Sequence, residues 1–169
     1  MIEHQGPTPY AGHVDAQSRP LPPGGGRRLR RVYLTLLLVA VVALAILLPI
    51  GWFLTVASIG DDDLPLVVVG AAVATVAAIL LLAALVTGRA AIHGDVVATG
   101  TARTSAGFAL AGGLTGWIGA GLVVLLAIVL ALLQIDVVLV KAVPLTIASL
   151  LSGVLSDRAR RIATTALSA

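Results

Sequence analysis

Four long apolar stretches constrain this chain more than any other feature: residues 32–59, 64–86, 106–133 and 137–155. Each approaches or exceeds the ~20 residues that a helix needs to cross a ~30 Å hydrocarbon core. Composition supports the same reading, with 59% hydrophobic and 11% charged residues and a mean hydropathy of +1.07. A soluble domain carries roughly 25% charged residues, so a water-soluble core is the wrong expectation. The spacing predicts an all-α fold: an integral membrane four-helix bundle made of two antiparallel transmembrane hairpins, with a disordered N-terminal tail.

The polar breaks organise the spans. Residues 60–63 and 134–136 are tight connections, which makes spans 1 and 2, and spans 3 and 4, antiparallel hairpins. Residues 87–105 form a longer loop carrying Gly88, Gly94 and Gly100, with room for a helical extension of span 2. Three segments follow: residues 1–31 as a disordered Pro/Gly-rich tail with a basic juxtamembrane end, residues 32–155 as the transmembrane domain, and residues 156–169 as a short basic tail. The first of these holds Pro7, Pro9, Pro20, Pro22, Pro23 and a triple glycine, with almost nothing apolar to bury. No convincing strand is visible. The run Arg30-Arg31-Val32-Tyr33-Leu34 is loosely like a twin-arginine export signal, but its 28-residue apolar sequel is too long for one. Span 1 is therefore expected to remain as an anchor.

Charge fixes the orientation. Arg19, Arg27, Arg28, Arg30 and Arg31 precede span 1, Arg89 and Arg103 lie between spans 2 and 3, and Arg158, Arg160 and Arg161 follow span 4. The other side holds Lys141 with Asp61, Asp62, Asp63 and Asp136. With four spans, ten of the eleven basic residues share one face. The positive-inside rule makes that face, and both termini, cytoplasmic. An arginine-rich, Ala/Val/Leu/Gly-rich composition fits a bacterial inner membrane. The net charge of +3 is better explained by the lipid surface than by nucleic acid, since the arginines flank spans with few aromatics between them.

Several residues are candidates for a role. Gly112, Gly113, Gly116, Ala120 and Gly121 give span 3 two small-residue stripes, and such stripes let helices approach closely in lipid. They read as a packing face against span 2 (Gly70, Ala74, Ala78) or span 4 (Ala148, Ser149, Ser152, Gly153), or as an interface with a partner. On this basis Gly116→Leu should disrupt packing, whereas Gly94→Leu in the loop should be near neutral. Lys141 is the only charged side chain inside a span. It is expected to snorkel toward water or to pair with Asp61–Asp63. The Asp61-Asp62-Asp63 run reads as a solvated turn at the N-terminus of span 2. Arg27, Arg28, Arg30, Arg31, Arg158, Arg160 and Arg161 read as topology determinants that meet lipid headgroups. Pro49 and Pro144 interrupt spans 1 and 4, and Pro65 sits harmlessly at the start of span 2.

Chemistry is harder to find. The absence of cysteine excludes disulfides and thiol catalysis. His4, His13 and His93 are scattered, so no zinc site is expected, and no acidic group or histidine lies mid-membrane to couple protons. No cofactor and no enzymatic activity are expected. The preferred reading is an accessory or regulatory membrane subunit with the lipid bilayer and a homo-oligomer or larger membrane complex as partners. The alternatives are a small oligomeric channel or holin-like pore and, less favoured, a transporter subunit.

Overall fold

The computed structural model describes residues 18–133 and 138–168; the expectations of a disordered tail over residues 1–17 and of a role for Asp136 lie outside them. Its elements run in the order β1 (Ser18–Pro20), α1 (Gly25–Ala57), α2 (Leu64–Ala90), β2 (Ile92–His93), β3 (Val96–Ala98), α3 (Thr99–Leu132) and α4 (Val138–Ser168). All four helices are long and apolar enough to cross a membrane. The protein is thus a four-helix, multi-pass membrane protein.

The helices outrun the bilayer. At 1.5 Å rise per residue, the 33 residues of α1 and the 34 of α3 each span about 50 Å, well beyond a ~30 Å core. The excess falls at one end. Helix α1 starts seven residues before its apolar stretch, α3 starts seven before its own, and α4 runs thirteen past residue 155. These extensions correct two sequence expectations. Residues 18–31 form a strand and the first turns of α1 rather than a disordered tail, and residues 156–168 continue α4 rather than forming a separate tail.

Residues 87–105, expected as a loop with room for an extension of span 2, supply that extension as the last turn of α2, and beyond it a β-hairpin and the start of α3. The hairpin pairs Ile92 with Val97 and His93 with Val96, leaving Gly94-Asp95 as a two-residue connection. Gly94 has φ +60°, the left-handed backbone that such tight hairpins demand at their first loop position. Strand β1 joins the other edge of β3, which gives a three-stranded sheet in the order β1-β3-β2. The strand-free expectation is therefore also corrected. Strands of two and three residues leave no hydropathy period in the sequence.

Two apolar clusters make the core. One unites the N-terminal part of α1 (Tyr33, Ala40), the C-terminal part of α2 (Ala84, Leu85), the sheet (Ile92, Val97) and the far end of α4 (Leu155, Ala159). The other joins Leu66, Val67 and Ala71 of α2 to Val123 and Ala127 of α3 and Ala142 and Leu145 of α4. Contacts between α1 and α2 run from Tyr33 over Gly88 to Trp52 beside Thr75. Pro49 and Pro144 lie inside α1 and α4, and Pro65 occupies the first turn of α2 as expected.

Candidate functional site

The small residues of α3 are used inside the chain. A Cβ on Gly116 would sit 2.7 Å from both the Ser149 carbonyl oxygen and the Gly153 amide nitrogen, so the backbones of α3 and α4 touch. One on Gly112 would meet Ser156 Oγ at 2.9 Å and Leu80 Cβ at 3.1 Å, which places Gly112 where α2, α3 and α4 converge. Gly113 faces Ser156 at 3.8 Å, ordinary packing distance, and Ala120 is buried. Gly121 departs from the expected stripe. It is exposed, with nothing within 4 Å of its Cβ position. Its place is taken by Gly119, which abuts the Val73 side chain and was not singled out from the sequence. Three residues after Gly116, it continues the same helical stripe, a spacing that could have flagged it. Gly70, Ala74 and Ala78 on α2, and Ala148, Ser149, Ser152 and Gly153 on α4, are all buried.

Several polar groups within the bundle bond locally or across helices, whereas the Thr146, Ser149 and Ser156 hydroxyls are buried without a hydrogen-bond partner among the described residues. Ser152 Oγ donates to the Ala148 carbonyl (2.9 Å), and Ser105 Oγ donates across to the Ala84 carbonyl (2.8 Å). Trp52 Nε1 donates to Thr75 Oγ1 (3.1 Å), which donates in turn to the Ala71 carbonyl (2.7 Å). Such bonds matter in lipid, where no water replaces a missing partner.

Lys141 is gathered rather than snorkelled. Its Nζ lies 2.8 Å from Asp63 Oδ2 and 3.1 Å from Asp61 Oδ2, and donates to Ser58 Oγ at 2.9 Å. Its side chain is only 15% exposed, and that of Asp63 only 3%. The α1–α2 turn is thereby tied to α4. The solvated-turn reading fails for Asp63, whose carboxylate faces the ammonium and makes no capping bond to α2. It holds for Asp62, which is exposed. Asp63 Oδ1 is buried with no hydrogen-bond partner among the described residues.

The arginine end is built around an unusual helix start. Gly24, in the left-handed region at φ +77°, ends the Pro22-Pro23 turn and leaves the first amides of α1 without a local side-chain cap. Asp95, about seventy residues downstream in the β2–β3 turn, supplies one. Its Oδ2 accepts from the Gly24 amide at 3.3 Å and its Oδ1 from the Gly26 amide at 3.2 Å. A carboxylate there satisfies orphan amides and complements the positive helix terminus. Gly26 allows the approach, since a Cβ would collide with the Gly94 carbonyl oxygen. The Asp95 carbonyl also accepts from the Leu21 amide at 2.8 Å. Within the triple glycine, Gly24 thus supplies the left-handed turn and Gly26 the close approach.

The basic residues sort onto different surfaces. Arg27, Arg28 and Arg31 line one groove with Arg158 of α4, while Arg30 lines a second with Arg89 and His93. Arg161 pairs with Asp157, one turn away, at 2.9 Å, and Arg160 borders a small cleft with Trp117. Among the described residues, no three His, Cys, Asp or Glu side chains are grouped to hold a metal. Compared with known protein families, curated proteins and solved structures, the chain matches none.

Proposed function

We propose that this protein is a non-enzymatic accessory or regulatory subunit of a membrane assembly, built as two antiparallel hairpins with both termini in the cytoplasm of a bacterial cell. The observation that carries this reading is the filled interior of the bundle. The backbones of α3 and α4 meet at Gly116, and Gly112 and Gly119 press against α2. Among the described residues α3 packs directly on α2 and α4, so recognition is assigned to the outer surface. Helix α1 offers the most of that surface, with 17% of its apolar window buried against 44% for α2. Its outward face carries Val42, Ile46, Phe53 and Val56. A helix face in lipid gains partners by close packing and hydrogen bonding rather than by hydrophobic burial, so shape decides its neighbour.

The test is co-purification from the native host in mild detergent, with photo-crosslinking side chains placed at Val42 and at Phe53. A stoichiometric membrane partner crosslinked through α1 supports the subunit reading. A pure homo-oligomer that raises membrane conductance on expression supports the pore reading and sinks this one.

A further inference from the structure

Arginines far apart in sequence converge at the groove between α1 and α4. Arg27, Arg28 and Arg31 of α1 face Arg158 of α4 across a groove of about 650 Å³, with Val32 and Leu36 on its wall. All four arginines are exposed, and among the described residues none has a carboxylate within 4.0 Å. The nearest acid in sequence, Asp157, pairs with Arg161 instead. Four unneutralised guanidinium groups around one concavity form a strong anion trap, because each presents a planar fork of donors suited to phosphate oxygens.

The groove has a second chemical half. It lies where α1 passes from its arginines into its apolar stretch, the level of lipid headgroups. From Val32 the same helical face continues through Val39, Val42 and Ile46, at steps of three, four and seven residues, and these side chains are 39–60% exposed. A phosphate-binding end thus leads directly into an apolar track pointing toward the bilayer. A free phosphate or a soluble acidic ligand would use only the first half.

We propose that this groove is a specific site for an anionic phospholipid, with the headgroup phosphate held by Arg27, Arg28, Arg31 and Arg158 and one acyl chain lying along Val32, Val39 and Val42. Basic pockets between transmembrane helices are suited to such headgroups. Four positive charges favour a lipid with two phosphates over one with a single phosphate. The headgroup site is separate from the partner face proposed above, which shares only Val42 with the acyl seat.

The experiment is native mass spectrometry of the full chain in neutral detergent, titrated with phosphatidylcholine, phosphatidylglycerol or diphosphatidylglycerol. Retention should rise in that order. Arg28→Gln and Arg158→Gln should each weaken diphosphatidylglycerol binding about fivefold, Arg158→Lys should restore part of it, and Arg160→Gln should leave it unchanged. Thr35→Trp fills the groove from the exposed face of α1 while keeping every arginine, and should also abolish retention. Thermal melts identify any variant that has lost its fold, and Thr35→Trp tests the groove independently of the charge variants. Equal retention of the neutral and anionic lipids overturns the proposal. So does wild-type binding by folded Thr35→Trp, or a loss in Arg160→Gln as large as in Arg158→Gln, which would mean unspecific charge attraction. Complete displacement by millimolar inorganic phosphate would assign the groove to a soluble anion instead.

Discussion

Lys141 and Asp63 illustrate a charge pair held at the edge of an apolar bundle, where each partner makes the other tolerable. With Asp63 almost fully buried and one carboxylate oxygen unpartnered among the described residues, removing the ammonium strands a buried negative charge. Breaking such a pair from one side costs about 3–5 kcal/mol, whereas replacing both partners with apolar groups is often near neutral. Lys141→Met is therefore expected to lower the melting temperature of the detergent-solubilised protein sharply, and Lys141→Met with Asp63→Leu to recover most of it. A single variant as stable as the wild type would show that the pair does not tie α4 to the α1–α2 turn. Glycines obey a similar logic of space. Gly116→Leu drives a side chain into the α4 backbone and should exceed the ~1–3 kcal/mol typical of overpacking. Gly121→Leu projects into open space and is the neutral control. Gly94, the control suggested by its loop position in the sequence, is unsuitable because its φ of +60° strains any substitution. The meeting of Lys141 with the aspartates was legible because both sit at the ends of predicted spans. Which aspartate would be buried was not, since adjacent turn residues differ only in the direction the backbone gives their side chains.

At the scale of elements, hydropathy exposes what lipid must cover and hides what the chain does beyond the headgroups. All four helices were readable from apolar length. Their extensions were not, because residues 99–105 and 156–168 carry the Thr, Ser and Arg that also mark loops. The three strands were equally hidden: each is too short to show alternation, and β1 is ordered by pairing with β3 some eighty residues away. Asp95 is the keystone of this collar, joining the hairpin turn to the start of α1 through two amides. Loss of a helix N-cap carboxylate costs about 0.5–2 kcal/mol. Asp95→Ala should fall in that range and, in hydrogen exchange, should speed the Gly24 and Gly26 amides while leaving mid-bundle amides protected. Unchanged exchange at these amides would refute the capping role. Gly26→Ala should loosen the same junction by forcing the Gly94 carbonyl away, and Gly25→Ala, whose nearest neighbour lies at 3.4 Å, should be tolerated.

Across the whole molecule, the arginine ends of all four helices gather around one apolar cluster, while the lysine and its aspartates hold the other end. The bundle is electrically polarised along its length. Lysine and arginine near span ends resist translocation far more than acids do, so the arginine end should stay in the cytoplasm and the Lys141 end should face outward. The sequence carried this polarity in the alternation of its polar breaks. It could not show that Arg27 and Arg158, at opposite ends of the chain, share a groove, because that depends on how α1 rotates against α4. The chain has no cysteine, so single introduced thiols report orientation without background. Asp62 and Thr164 are both exposed and lie at opposite ends of the bundle. In intact cells, or in spheroplasts if an outer barrier blocks the reagent, a membrane-impermeant maleimide should label Asp62→Cys, whereas Thr164→Cys should react only after permeabilisation. The reverse pattern would overturn the orientation. Labelling of both sites in intact membranes would mean that the helices do not carry the two ends to opposite sides. If the pattern holds, replacing Arg27, Arg28, Arg30 and Arg31 together by Gln should leave part of the population inverted, because Arg19 and the arginines after spans 2 and 4 would then carry a weakened cytoplasmic bias.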